Sequence, residues 1–116
     1  MSTPEFKVKQ KVKKLLTSYG AYHFSPQTGG YGRSGIPDII ACYDGLFIGI
    51  ECKAGDNKPT KLQEQELKAI VKAEGIALVI NEHNLHELED VLGSLLQETF
   101  IENVDDVANK IIANKY

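Results

Sequence analysis

Besides Asp44 in a central Asp-Gly pair, three charged residues interrupt an otherwise mainly apolar stretch that runs from Ile36 to Lys53. Asp38 stands near the start of this stretch, and Glu51 and Lys53 stand at its end. A charged side chain within a sheet costs free energy unless it is paired or binds a metal ion. The stretch therefore indicates a site at which two carboxylates and an ammonium group act together.

The dipeptide Asp44-Gly45 predicts how these charges are arranged. Asp-Gly between two apolar runs is a strong signal for a β-hairpin. If the turn centres on this pair, counting outward places Asp38 opposite Glu51, with Cβ atoms about 4.5–5.5 Å apart. A four-residue loop gives the same register, whereas a three-residue loop breaks it. Lys53 projects from the same face as Glu51 because successive strand side chains alternate.

Opposed carboxylates repel each other unless a positive charge lies between them. Hard oxygen ligands favour Mg²⁺ or Mn²⁺ over zinc, and Mg²⁺ is commonly held by a few carboxylates, water and substrate phosphate. Such an ion lowers the pKa of a bound water, and Lys53 would orient that water or stabilise the developing charge. This chemistry suits phosphodiester hydrolysis. The alternative is a structural ion cluster without catalysis.

The first helix contributes a further acid. Thr3-Pro4 has the form of a helix start, a hydroxyl followed by proline in the first turn. At roughly 100° per residue, Glu5 falls within the apolar arc of this helix, and Lys9 and Lys13 flank that arc. Glu5 either points toward the site or serves the helix N-terminus, in a capping box with Ser2.

The remaining pattern predicts the elements around the hairpin. Residues 21–25 form a short strand, and the glycine-rich segment 29–35 is a mobile loop that permits close backbone approach. Arg33 in this loop either contacts a phosphate or is solvated. Thr60 and Gln63 form a capping box that starts the next helix. Residues 76–80 are a continuous apolar strand, central or parallel.

These elements predict an α/β fold with a mixed central sheet in αβββαβ order, flanked by helices on both faces. At 116 residues the chain is expected to be one domain. Its core covers about residues 1–81, and a helical extension covers about 82–116. One extension helix is capped by Asn84, and a final helix starts at about Val104.

Composition bounds the setting in which the protein works. The net charge is −3, with basic residues in excess before residue 82 and acidic residues after it. The acidic end either turns away from an anionic partner or is simply solvated. Apolar runs are too short for a transmembrane helix, and the N-terminus lacks a signal-peptide core. Cys42 and Cys52 are expected on opposite sheet faces, so a reducing, cytoplasmic environment is predicted.

Three short runs resemble the VRR-NUC branch of the PD-(D/E)XK nuclease superfamily, which includes small stand-alone phage-type members. The runs are Gly35–Asp38, Glu51–Gly55 and Lys58–Gln63. The resemblance covers roughly residues 1–81 and implies a restriction-endonuclease-like core.

The resemblance also implies roles for particular residues. The metal ligands would be Glu5, Asp38, Glu51 and the main-chain carbonyl of Cys52. The catalytic residues would be Asp38, Glu51, Lys53 and Gln63. Separately from the resemblance, the basic residues expected to contact DNA are Lys9, Lys13, Arg33, Lys58 and Lys61. Gln63 has an alternative role as the capping residue of Thr60, and the two roles are compatible.

The function implied is a Mg²⁺-dependent endodeoxyribonuclease, with Mn²⁺ as a plausible substitute. The substrate would be branched or Holliday-junction DNA, cut by a homodimer without involvement of a membrane. One alternative is a nicking or flap nuclease without junction preference. Another is a nucleic-acid-binding module with the same fold and no turnover.

Overall fold

A computed structural model describes residues 3–27 and 32–95. The helices are α1 (Pro4–Ser18), α2 (Lys61–Lys72) and α3 (Leu85–Leu95). The strands are β1 (Tyr22–Phe24), β2 (Ile39–Tyr43), β3 (Leu46–Cys52) and β4 (Ile76–Ile80). The predicted αβββαβ order is confirmed, and α3 is the first of the two expected C-terminal helices. The expected helix from about residue 104 lies outside the described residues.

The strands form one mixed sheet in the order β1-β2-β3-β4. The first three pair antiparallel, and β4 runs parallel to β3 after the crossover through α2. The expectation of a parallel β4 is confirmed. Within the described sheet, β4 lies at an edge rather than at the centre.

The hairpin register agrees with the count from Asp44-Gly45. Ile40 pairs with Gly49, and Ile39 pairs with Ile50. Asp44 and Gly45 have φ values of 53° and 81°, the left-handed conformation at both central positions of a tight hairpin turn. Asp38 immediately precedes the first paired residue of β2, so it lies at the end of the hairpin that carries Glu51.

Helices cover the sheet on both faces, as the two-sided apolar pattern predicted. On one face, α1 and α3 bury the main core against alternate strand residues. Its largest fully buried members are Leu16, Ile39, Ile48, Ile50, Ile76, Leu78, Ile80, Leu88 and Leu92. On the other face, Ile70 of α2 lies over Gly49, where an added Cβ would approach its Cδ1 to 2.5 Å. Gly49 therefore lets α2 approach the sheet closely.

Cys42 is exposed and Cys52 is buried, and both are free thiols, which agrees with their expected positions on opposite faces. Within the described ranges, no helix has the length and apolar character needed to cross a membrane.

The segment before Asp38 packs directly against the start of α2. Gly35 has a φ of +88°, and a Cβ added there would lie 2.6 Å from both the carbonyl carbon and the oxygen of Leu62. It would also lie 2.9 Å from the backbone nitrogen of Gln63. Gly35 therefore fixes the distance between the loop that leads to Asp38 and the helix that carries Gln63.

We expect Gly35→Ala to destabilise the protein more than Gly45→Ala, as measured by urea denaturation. Both glycines have left-handed φ values, but at Gly45 no described atom beyond the adjacent residues lies within 4 Å of an added Cβ. The shared backbone strain therefore cancels in the comparison. The clash at Gly35 should add about 1–3 kcal/mol to the loss of unfolding free energy. Equal losses of unfolding free energy for the two variants would show that the loop at Gly35 does not pack tightly against α2.

Candidate active site

The two hairpin carboxylates lie at the same end of the sheet. Glu51 is near the end of β3 and is 2% exposed. The backbone N–H of Cys52 donates a hydrogen bond of 2.9 Å to Oδ2 of Asp38, so the segment before β2 is tied to the end of β3. Asp38 is only partly buried, with 20% of its side chain exposed. Solvent therefore reaches the site from the Asp38 side.

The two oxygens of Glu51 have different surroundings. Oε2 accepts a hydrogen bond of 2.9 Å from Nε2 of Gln63, and Nζ of Lys53 lies 3.4 Å from the same oxygen. Oε1 is buried and has no hydrogen-bond partner in the part of the chain that the structure describes. A buried oxygen without a partner is costly. Glu51 is thus held through one oxygen and offers the other to a ligand.

The environment of Glu51 opposes its ionisation. Burial raises the pKa of this carboxyl, and repulsion by Asp38 raises it further. Attraction by Lys53 and its hydrogen bond lower the pKa but do not compensate, so it reaches about 7. The positive charge near Asp38 and Glu51 therefore does not compensate the two negative charges, and a bound cation would supply the difference.

Lys9 lies against Asp38 rather than on an open surface. Its Nζ is 3.3 Å from Oδ1 of Asp38, and 31% of its side chain is exposed. Burial lowers the pKa of Lys9, but attraction and hydrogen bonding by Asp38, with attraction by Glu5, outweigh it and raise the pKa overall. Sequence reasoning assigned Lys9 to DNA and missed this pair. The spacing of four residues from Glu5 to Lys9 could have indicated that Lys9 shares a helix face with an acid expected at the site.

Glu5 is half-buried near this group of charges. Its charge contributes to raising the pKa of Glu51 and of Lys9, so it lies within electrostatic range of both. The α1 cap itself is Thr3, whose hydroxyl accepts the N–H of Phe6 at 3.1 Å. The alternative partner Ser2 lies outside the described residues. A metal-binding role for Glu5 stays a prediction.

Gln63 serves the helix cap and the site together. Its Oε1 accepts the N–H of Thr60 at 2.8 Å, and the Thr60 hydroxyl accepts the N–H of Gln63 at 3.2 Å. This is the predicted capping box. The Nε2 group of the same amide donates to Glu51. The two roles expected for Gln63 are therefore compatible in one side-chain conformation.

The other basic residues lie apart from the carboxylate pair. Arg33 is 76% exposed, and its Nε lies 3.1 and 3.2 Å from the two carboxylate oxygens of Glu66 on α2. Lys58 and Lys61 are exposed, and Lys13 is half-buried on α1. No described contact joins these four basic residues to Asp38 or Glu51. Contact of these residues with DNA stays a prediction.

The loop after Lys53 is held by a second contact that the sequence did not reveal. The N–H of Gly55 donates to Oε1 of Glu82 at 2.6 Å, and Nδ2 of Asn81 donates to the Gly55 carbonyl at 3.3 Å. Hydrogen bonds from the backbone N–H groups of Glu82 itself and of Gly55 lower the pKa of Glu82. These bonds connect the end of β3 to the segment after β4.

The donor set fits a hard divalent cation with a small number of protein ligands. Among residues 3–27 and 32–95, no cluster of three or more His, Cys, Asp and Glu residues is arranged to hold a metal. Mg²⁺, however, is usually bound by one or two carboxylates and keeps several waters. Asp38 and Glu51 supply that number, and the buried Oε1 of Glu51 is available to an ion.

We expect Glu51→Gln to change how the stability of the metal-free protein depends on pH. The folded pKa of about 7 exceeds the ordinary value of 4.5, so the folded protein binds this proton more tightly than the unfolded chain does. Unfolding free energy should therefore fall as pH rises from about 4.5 to about 7 in the wild type. The Gln variant should lack this part of the decline. Denaturant titrations in a chelator, from pH 4 to pH 8, measure the difference between the proteins.

Glu82→Gln is the control for this pH series. The pKa of Glu82 is lowered, so its contribution is present above the unfolded value of 4.5 and is lost only on acidification below it. Its difference from the wild type should stay constant between pH 5 and pH 8. If Glu51→Gln behaved in the same way, the unfavourable burial of the Glu51 charge would be refuted.

Comparison with solved structures identifies the fold. The chain resembles a structure described as a VRR_NUC domain, with a TM-score of 0.64 and 20% sequence identity. The similarity covers 79% of this chain and 97% of that chain. The protein therefore has the VRR_NUC, restriction-endonuclease-like fold that the motifs predicted.

The family follows from the sequence itself. Residues 7–77 match the family model described as archaeal Holliday junction resolvase (Hjc), which is more than half of the chain. The chain belongs to this family of nucleases. No curated protein matches it significantly. Family membership makes the protein an endonuclease that acts on DNA.

Proposed function

We propose that this protein is a divalent-metal-dependent endodeoxyribonuclease that cuts branched DNA of the Holliday-junction type. The observation that carries the proposal is Glu51, a buried carboxylate that is held through Oε2 and whose Oε1 has no hydrogen-bond partner among the described residues. Asp38 lies beside it, at the same end of the hairpin. The name of the matching family supports the choice of substrate.

Asp38 and Glu51 would hold the cation, together with the main-chain carbonyl of Cys52 and with Glu5 at the edge of the site. A bound Mg²⁺ or Mn²⁺ would supply a water of lowered pKa and a positive charge for the phosphate oxygens. The residues of the chain would orient the groups around that ion.

Lys53 and Gln63 have separate tasks in this proposal. The Lys53 side chain is 13% exposed and reaches Glu51, so its ammonium is positioned beside the proposed metal site. There it would donate hydrogen bonds to the attacking water or to a phosphate oxygen. Gln63 would keep Glu51 in one orientation through its hydrogen bond to Oε2. Lys13, Arg33, Lys58 and Lys61 would contact the DNA backbone.

A homodimer would explain action on a four-way junction. One site cuts one strand, whereas resolution of a junction requires two related cuts. A two-fold dimer presents two identical sites to the two related strands. The proposed assembly is therefore a symmetric pair of these domains.

We expect Lys53→Ala to lower metal-dependent cleavage of a labelled four-way junction by about 10²–10³-fold. The loss follows from removal of the ammonium beside Glu51. Lys72→Ala, which removes an exposed lysine at the end of α2, is the control for general loss of charge. Gel assays with Mg²⁺ or Mn²⁺ measure the rates, and circular dichroism verifies folding. Unchanged cleavage by the folded Lys53 variant would refute the assigned mechanism.

The same assay on linear duplex tests the choice of substrate. The junction should be cut faster than a linear duplex of the same sequence, at equal protein and metal concentrations. Equal rates would favour the alternative of a nicking nuclease. Binding of the junction without cleavage by any divalent ion would favour a binding module.

We expect light scattering at micromolar concentration to give the mass of a dimer. Wild-type subunits mixed with Lys53→Ala subunits should then form hybrids with one active site. On a cruciform plasmid, the hybrids should nick one strand, whereas wild-type dimers should linearise the plasmid. A monomer mass with full junction cleavage would contradict the dimer.

A further inference from the structure

Each acid of the candidate site has its own lysine. Lys53 lies 3.4 Å from Glu51 and directly follows the strand that carries it, whereas Lys9 reaches Asp38 at 3.3 Å from α1. Lys53 belongs to the run that resembles the PD-(D/E)XK nucleases, whereas Lys9 lies outside those runs and was expected only to contact DNA. The ion pair of Lys9 is thus a feature of this chain that the proposed mechanism does not use.

We propose that Lys9 is an internal counter-ion that holds Asp38 in the metal-free protein and releases it when a divalent cation binds. This inference rests on the proposed function. Lys9 is a positioning residue in this role, because it acts on Asp38 rather than on the DNA.

The contacts of the four carboxylate oxygens of Asp38 and Glu51 show why a cation would displace Lys9 rather than another partner. Oε2 of Glu51 contacts Gln63 and Lys53, and the buried Oε1 has no hydrogen-bond partner within residues 3–27 and 32–95. Oδ2 of Asp38 accepts a backbone N–H at the end of β3, which cannot move without disturbing the sheet. Oδ1 is held by the flexible side chain of Lys9. A cation held by the two acids would therefore compete with Lys9 for Asp38.

The ion pair between Lys9 and Asp38 is weak enough for a divalent cation to displace Lys9. About one third of the Lys9 side chain and one fifth of the Asp38 side chain remain exposed. Pairs in such positions contribute modestly, and solvent screens them. Lys9 can therefore keep Asp38 oriented and still be replaced by a divalent ion. Removal of its charge should make the metal-free site less stable and metal binding tighter.

Calorimetric titration of DNA-free protein with Mn²⁺ tests this competition. We expect Lys9→Gln to bind Mn²⁺ roughly 3- to 10-fold more tightly than the wild type, because an ion pair of this kind no longer has to be broken. Lys9→Arg keeps the charge and can bind a carboxylate through two N–H groups, so its affinity should equal the wild type or be weaker. Lys14→Gln removes a charge from the exposed side of the same helix and should leave the affinity within about twofold of the wild type.

Thermal unfolding supplies a readout that is independent of affinity. In a chelator, Lys9→Gln should melt below the wild type, since Oδ1 of Asp38 loses its partner. Saturating Mn²⁺ should reduce or reverse this difference, because the ion replaces Lys9. A lysine with only a structural role would give the same difference in both conditions.

The outcomes separate this inference from the function on which it rests. The counter-ion role would be overturned if Lys9→Gln bound Mn²⁺ as tightly as the wild type or more weakly. It would also be overturned if Lys9→Arg bound Mn²⁺ more tightly than the wild type. In both cases, Mn²⁺ binding by the wild type would leave the nuclease proposal intact. If Asp38→Asn bound Mn²⁺ as tightly as the wild type, or if the wild type bound no divalent ion, the metal site itself would be refuted. Lys9→Arg keeps the test decisive if Lys9→Gln does not fold.

Discussion

Repulsion between two carboxylates at one end of a hairpin is the constraint on which the surrounding structure depends. Asp38 and Glu51 are close enough to raise the pKa of Glu51, and burial adds to the effect. Partners from three elements limit this cost: Lys9 on α1, the end of β3, and Gln63 on α2. These contacts therefore join α1, β3 and α2 at the carboxylate end of the sheet. The negative charge that they leave uncompensated is suited to a metal ion.

Two of the basic residues expected to contact DNA are already paired with acids of the chain. Lys9 and Arg33, both expected on DNA, form ion pairs with Asp38 and Glu66 within the chain. Their positive charge is partly neutralised before any DNA arrives. Any attraction of these two residues to DNA phosphate would therefore compete with an acid of the same chain.

The sequence predicted those features that depend on local spacing. The hairpin register follows from Asp44-Gly45, the capping box from Thr60 and Gln63, and the parallel β4 from its continuous apolar run. Contacts between distant segments were not predictable in the same way. The pairing of Lys9 with Asp38 depends on the position of α1 along its own axis relative to the end of the sheet. Helical periodicity gives the direction of a side chain around its axis but not this displacement along it.

The capping box at the start of α2 restricts the amino acids that the site can tolerate. In an isolated helix, Glu and Gln are equally suitable as the third residue after the cap, since either side chain can accept the N–H of Thr60. In this protein a glutamate there would place a third negative charge against Glu51, in place of the N–H donor that Gln63 supplies. Local helix chemistry thus permits two residues at position 63, and the charge of its neighbour selects one of them.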